Sequence, residues 1–369
     1  MSEFSLEERQ AVCDMFARLL EANANEEKLR ALIATDAGFD HTHWQEMAKL
    51  GLTGILIPSE HSGAGGSLEE VEALMEVAGE FLLSGPFIES SVTAPTLLAA
   101  CTDHVLSNRL LAEIASGESI LTVAGCGKSG DWTLLPDVTA VSQADHWQLQ
   151  GEAHFVSYPH VAKQCLVYAN TESGVGVFLV SMDDPGLSVK VHAADDKTQR
   201  PATLNFNNAR SVLLEGVGEQ SRTDALNNAL VALAGQQVGG SQKMFALTVD
   251  YLKTRHQFGE PIGRFQALKH MAADLLVELE SATSAARHAA ATVASGSEQA
   301  TQASCLAAFS CADNFRKITA DAIQLHGGIA YTIEHPAHLY WRRAQSGLWA
   351  YCSSDKLRDL YLTEMEKTL

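Results

Sequence analysis

The chain has little positive charge to offer a polyanion. Its 369 residues carry 26 Lys and Arg against 45 Asp and Glu, a formal net charge of −19 at pH 7. Sequence-independent nucleic-acid binding needs clustered Lys and Arg, and an anionic membrane surface draws on the same groups. No nucleic-acid or membrane partner is therefore expected. Long apolar runs are missing as well: none approaches the ~18 residues that a membrane span needs. The opening MSEFSLEERQ is acidic and polar, unlike a signal peptide. The cysteines (Cys13, Cys101, Cys126, Cys165, Cys305, Cys311 and Cys352) include no CxxC pair. Their odd number and irregular spacing fit neither a disulfide framework nor a zinc site. Reduced, packed thiols in a cytoplasmic protein without a metal are expected. No GxGxxG follows a strand pattern, which excludes the usual dinucleotide fingerprint. The glycine cluster Gly63-Ala64-Gly65-Gly66 lacks the Lys-Ser/Thr of a P-loop. It reads as a turn before the helix that begins near Ser67-Leu68-Glu69-Glu70. Net charge governs solubility more than site chemistry, so an anionic small molecule held by a local positive patch stays compatible with the composition.

What is present is an α+β pattern in three stretches. Residues from about Leu6 to Leu121 read as helical; Trp44, Met47, Ala48 and Leu50 form one apolar face, closed by Gly51. Short β-type runs follow at Leu121–Ala124, His146–Leu149, Cys165–Tyr168, Val175–Val180, Leu187–Val191 and Ala202–Phe206. Turn signals such as Asp183-Asp184-Pro185-Gly186 separate them, as in a compact antiparallel β domain. After about Val217 the helical period returns, over about Asp224–Lys253, Phe265–Ala294, Glu298–His326 and His338–Glu366. Long helices with short connections imply a four-helix bundle. Gly327-Gly328 caps the third of these helices and Pro336 starts the next. The expected division is 1–119 helical, 120–216 β and 217–369 helical bundle.

Two motifs carry chemistry. Around a Gly/Pro bend lie Tyr251, Arg255, Gln257-Phe258-Gly259, Pro261-Ile262 and Phe265-Gln266, continued by Ala273-Asp274. A guanidinium at a helix end can grip a pyrophosphate bidentately. Downstream lie Gln324-Leu325-His326-Gly327-Gly328, then Tyr331-Thr332, Glu334, Pro336 and Arg342-Arg343-Ala344. Two glycines after a helix admit a close ligand or backbone. In order and spacing these strings resemble the paired flavin-binding signatures of the acyl-CoA dehydrogenase family. Trp44 to Gly66 and Gly151 to Ala169 are similar to the family's earlier stretches. Within the family the chain looks most like the shorter subunits of heteromeric dehydrogenases of steroid side-chain breakdown.

The resemblance implies a helical N-terminal domain, a middle β domain and a C-terminal four-helix bundle. It implies FAD as cofactor and an acyl-CoA as substrate, dehydrogenated to a trans-2-enoyl-CoA with an electron-transfer flavoprotein as acceptor. Arg255, Gln257, Phe258, Phe265, Gln266, Gln324, Leu325, His326, Gly327 and Gly328 are the implied FAD contacts. Glu334 matches a glutamate that the family keeps for structural reasons.

The chain departs from the family where the family keeps its base. One family position for that glutamate falls at Tyr351, within Trp349-Ala350-Tyr351-Cys352, and the other at Ala229, followed by Leu230. Neither phenol nor methyl group serves as the usual base at neutral pH. The flavin-facing loop reads Ala124-Gly125-Cys126-Gly127-Lys128-Ser129-Gly130-Asp131, and the partner strand His154-Phe155-Val156-Ser157-Tyr158, instead of the family's elements. The expected role is to complete the FAD site of a catalytic partner in a heterodimer or heterotetramer. Three alternatives stay open: a homomeric dehydrogenase with a relocated base, for which Asp224 is the nearest carboxylate upstream of Ala229; a structural partner without flavin contact; and a monooxygenase of the same fold.

Overall fold

The computed structural model describes residues 4–144 and 146–367. Six α-helices come first: α1 (Leu6–Asn23), α2 (Glu26–Ile33), α3 (His41–Lys49), α4 (Leu68–Glu80), α5 (Ala94–Ala99) and α6 (His104–Ala115). Each start has a local cause. Ser5 and Ser67 form capping boxes with Glu8 and Glu70 at α1 and α4, and Asp40 accepts from the amides of Thr42 and His43 at α3. The glycine cluster before α4 is a structural turn. Its amides at Ala64, Gly65 and Gly66 donate to Gly54, Ile57 and Ile55 carbonyls, so none is left for an anion.

The β region is one seven-stranded sheet with the path β1-β4-β2-β3-β7-β5, and β6 pairs with β7. Its strands are β1 (Leu121–Ala124), β2 (Val138–Ser142), β3 (Trp147–Ser157), β4 (Gln164–Thr171), β5 (Gly174–Ser181), β6 (Leu187–Val191) and β7 (Pro201–Leu213). Most pairs are antiparallel, but β1 runs parallel to β4, with Leu121 opposite Gln164 and Ala124 opposite Val167. The β3–β7 register slips between Ala153 and Val156. Within that bulge Phe155 takes a left-handed φ of 55°, which bends the strand.

The C-terminal part holds α7 (Glu219–Thr254), a small hairpin of β8 (His256–Gln257) and β9 (Glu260–Pro261), α8 (Gln266–Ala294), α9 (Ala300–His326), α10 (Ala337–Gly347) and α11 (Ser354–Glu366). The single helix expected over His338–Glu366 is thus two. The break at residues 348–353 puts Tyr351 at a left-handed φ of 67°, and Ser353 caps α11 by accepting from the Lys356 amide. Tertiary contacts hold the break: the Trp132 amide donates to the Tyr351 carbonyl at 2.9 Å, and their rings meet edge-on at 5.0 Å.

Helix α7 is the axis of the molecule, packed against α4, α8 and α9. Its approach to α4 is set by glycine. A Cβ on Gly239 would lie 1.7 Å from the Glu76 carbonyl oxygen, and one on Gly79 would lie 2.0 Å from that of Gln236. Ala outranks Gly in a helix by about 1 kcal/mol, whereas overpacking against immobile backbone costs up to about 3 kcal/mol. Gly239→Ala should therefore lose about 2 kcal/mol net. Urea unfolding measures this, and an unchanged midpoint would mean that the two helices do not meet this closely.

Candidate functional site

The two motifs meet at one end of the bundle. Arg255 follows the last residue of α7, and its amide still donates to the Tyr251 carbonyl. The chain then reverses through the two-residue turn Phe258-Gly259, at φ of 56° and 84°. Left-handed φ at both central positions is the geometry of a type I′ hairpin, which suits Gly second. The result lifts Phe258 into solvent at 92% exposure, with the Phe265 ring edge-on at 6.1 Å. Gln257 spends its amide on the His256 carbonyl. Gln266 opens α8 and is exposed.

The second motif arrives from α9. Gln324 and Gly328 are exposed and Gly327 is partly so, while Leu325 and His326 are buried. The His326 ring joins the motifs, with its centroid 4.7 Å from that of Tyr251 and 4.5 Å from that of His335. Its Nδ1 lies 2.8 Å from the Ala322 carbonyl, and burial lowers its pKa, so the ring is neutral near pH 7. His326 and Leu325 therefore support the patch from beneath. Among the described residues no side chain pairs with the Arg255 guanidinium. A free cation beside glycine backbone and exposed amides fits the pyrophosphate end of a dinucleotide. Exposed Ile329, Tyr331 and Ile333 extend the surface with apolar area.

A separate cavity of about 620 Å³ lies between the sheet and the helices. Phe87, Ile88, Leu233 and Trp349 line its apolar wall, with Trp132 and Tyr351 packed together on one side. None of the residues with implied FAD contacts lines it. The loop before it is closed by packing: a Cβ on Gly125 would stand 2.4 Å from the Trp132 ring. Arg343, from the second motif, is also here; it pairs with Asp196 through Nε, while its Nη1 is buried without a partner. Its Nε lies 3.1 Å from Asp196 Oδ2 and 2.9 Å from Thr198 Oγ1.

Of the two family base positions, Tyr351 lines the cavity and Ala229 lies buried in α7 without reaching it. Asp224, the sequence candidate for a relocated base, is exposed, accepts from Gln220 and lies outside the cavity. Glu334 is exposed and gives its backbone carbonyl to Arg30. The carboxylate that does face the cavity is one that sequence reasoning missed, Glu89. It sits in a π-helical turn, Glu89–Thr93, leading into α5. Such turns often mark functional positions because they rotate a side chain out of the helical series. The Tyr351 hydroxyl stands 3.5 Å from Glu89 Oε1. Burial pushes the Glu89 carboxyl up to about 7, opposed by hydrogen bonds from its own backbone, Ser157 and Tyr351. Burial, then the Glu89 charge, raises the Tyr351 hydroxyl well above its usual value, so it is a donor at neutral pH. A shifted carboxyl alone does not locate a site. Glu72 is raised by burial and by Glu76, yet it lies outside the cavity.

Among the described residues no group of three His, Cys, Asp or Glu side chains is placed to hold a metal, and no helix is long and apolar enough to cross a membrane. All seven cysteines are free thiols.

The model of the acyl-CoA dehydrogenase C-terminal domain matches residues 216–359, and that of the acyl-CoA dehydrogenase N-terminal domain matches residues 6–118. Acyl-CoA dehydrogenase IpdE2 of Mycobacterium tuberculosis is 30% identical over 340 residues, 92% of this chain and 91% of the relative. The ChsE4-ChsE5 complex from Mycobacterium tuberculosis contains a chain that superposes with a TM-score of 0.91 at 26% identity, covering 100% of both. The Tcur3481-Tcur3483 steroid ACAD gives a TM-score of 0.90 at 26% identity, covering 98% of both.

Proposed function

The chain belongs to the acyl-CoA dehydrogenase family, and from that premise we propose that it completes the FAD site of a catalytic partner subunit in a heterodimer or heterotetramer. The observation that carries this reading is a separation. The residues fit to hold a dinucleotide, Arg255, Gln257, Phe258, Gln266, Gln324, Gly327 and Gly328, lie on an outward surface and not in the chain's own cavity. Ligand contacts turned outward serve a ligand presented by another chain. Exposed Phe258, Tyr331 and Ile333 beside them give that chain an apolar surface to cover. The heteromeric ChsE4-ChsE5 neighbour supports the same arrangement.

In this role Arg255 pairs with the pyrophosphate, and the glycines at 327–328 let the nucleotide approach the backbone. His326 and Leu325 hold the end of α9 in place. The chemistry a bound flavin supplies is acceptance of the β-hydride of an acyl-CoA, as a carboxylate takes the α-proton and trans-2-enoyl-CoA is left. The partner contributes that carboxylate, and an electron-transfer flavoprotein reoxidises the complex. A ring-bearing acyl group is the proposed substrate class, from likeness to the steroid ACAD.

One observation favours a second reading. Glu89 gives the cavity a carboxyl with a pKa of about 7, the range suited to a general base, so a self-sufficient dehydrogenase with its base moved to α5's entry has a foothold. A flavin count separates the two. The chain purified alone is expected to be colourless and inactive toward acyl-CoA with an artificial electron acceptor. Purified with its co-expressed partner, the complex is expected to be yellow, with fewer flavins than polypeptides. A solo preparation that holds one flavin per chain and turns over would establish the second reading instead.

A further inference from the structure

We propose that Glu89 determines ligand specificity in the chain's own cavity, by accepting a hydrogen bond from a hydroxyl group on an otherwise apolar ligand. The residues proposed to hold the dinucleotide do not line this cavity, although the loop at 126–131 and Tyr351 do, and binding to the chain alone tests the proposal without any flavin.

The cavity's volume of about 620 Å³ falls in the range of small-molecule sites, which are mostly apolar with a few placed polar groups. Its wall supplies Leu83, Phe87, Ile88, Val123, Leu233 and Trp349. Into that wall the π-turn brings a carboxyl, and three donors, its own backbone amide, Ser157 and Tyr351, orient it. A carboxylate has about four acceptor sites, more than three donors fill. The remaining capacity can be met inside an apolar cavity only by a ligand or water. A ligand hydroxyl meets it; an ether of the same shape leaves it unmet, at the cost attached to an unsatisfied charged group. Of the other ionisable groups lining the cavity, only Asp131 is a rival acceptor. Arg343 is paired with Asp196 and its unpartnered Nη1 can only donate, Cys126 donates to the His154 carbonyl and its thiol is pushed up to about 12 by burial, and Tyr351 is Glu89's own donor. Asp131 accepts the amide and hydroxyl of Thr133 on Oδ1 alone, so Asp131→Asn is the control, and it should leave the alcohol preference intact.

The sign of the pH dependence follows. Above about pH 7 Glu89 is ionised and only accepts. As pH falls through that value the carboxyl gains a proton and can donate to an ether oxygen. Discrimination between alcohol and ether is therefore present at high pH and lost at low pH. Tyr351 and Ser157 lower the Glu89 pKa by hydrogen bonding, so removing the phenol moves the transition to higher pH.

The test is calorimetric titration of the full chain with cyclododecanol and with cyclododecyl methyl ether. At pH 8 the alcohol should bind roughly tenfold more tightly, as a hydrogen bond to a charged group is worth about 1.5–3 kcal/mol. That preference should shrink to within about twofold at pH 5.5, and in Glu89→Gln at both pH values, because an amide both donates and accepts. Tyr351→Phe should keep the preference but shift its midpoint to higher pH, which loss of packing alone would not do. Equal binding of alcohol and ether by the native chain at pH 8, a preference that survives Glu89→Gln, or no binding of either ligand overturns the proposal.

Discussion

Asp196→Ala is expected to remove about 3–5 kcal/mol of stability, because it strands the buried Arg343 guanidinium without its counter-charge. Both side chains are almost fully buried, and they join parts of the chain far apart in sequence. Asp196 lies between β6 and β7, while Arg343 lies in α10. Around the ion pair the network is dense. Thr198 donates its amide and hydroxyl to Asp196, Ser346 donates to Asp196 Oδ2 at 2.8 Å, and Arg343 Nη2 donates to the carbonyls of Leu82 and Leu83. The Tyr158 hydroxyl closes it on the Thr198 carbonyl at 2.7 Å. Three segments therefore depend on one guanidinium: the loop after α4, the β6–β7 loop and α10. Breaking the pair from one side leaves an uncompensated charge in a low-dielectric interior. Replacing both partners by apolar residues avoids that charge, so Asp196→Leu with Arg343→Met should cost much less than Asp196→Ala alone. Urea unfolding of the two variants decides the matter. A loss below about 1 kcal/mol for Asp196→Ala, or a double variant no better than the single, would show that water reaches the pair.

The same pair shows where sequence reading reaches and where it stops. Arg343 belongs to a recognised motif, yet its partner is 147 residues away in a loop with no signature. Local order was readable. The strands Leu121–Ala124 and Leu187–Val191 and the ends of α7, α8 and α9 follow from periodicity and from Gly and Pro placement to within a few residues. Strand Val138–Ser142 was not read. It is short, with Val141 exposed at 56%, and pairing with β3 makes it a strand more than its own pattern does. The break between α10 and α11 was missed for a related reason: residues 348–353 contain neither Gly nor Pro, and Tyr351 is driven left-handed by packing against Trp132. At the site, the residues proposed to hold a dinucleotide can be named from sequence because they are contiguous in two short strings. Glu89 was not, since a lone glutamate in Phe87-Ile88-Glu89-Ser90-Ser91 gives no sign that a π-turn will rotate it into a cavity.

Arg255→Ala, prepared within the assembled complex, should lower flavin affinity by roughly 10- to 100-fold while leaving the fold intact. The magnitude is that of a hydrogen-bonded charge pair, about 1.5–3 kcal/mol, at 1.4 kcal/mol per factor of ten. The selectivity comes from position. Arg255 is exposed, and its guanidinium has no partner among the described residues, so truncation breaks no internal contact. Surface changes of that kind stay within about 0.5 kcal/mol of stability. Its backbone does the local work, receiving the Ile262 amide at 2.8 Å to close the hairpin, and alanine keeps that bond. Lysine offers the charge without the planar fork, so Arg255→Lys should fall between native and Arg255→Ala. The measurement is flavin absorbance per complex after dilution and gel filtration, beside a thermal unfolding curve. Flavin lost, with the flavin-free native and variant complexes melting at the same temperature, fits an arginine that contacts a neighbour's cofactor. Flavin retained in full by Arg255→Ala would remove this arginine from the site, and with it the main reason to think that the outward face of this bundle reaches a nucleotide.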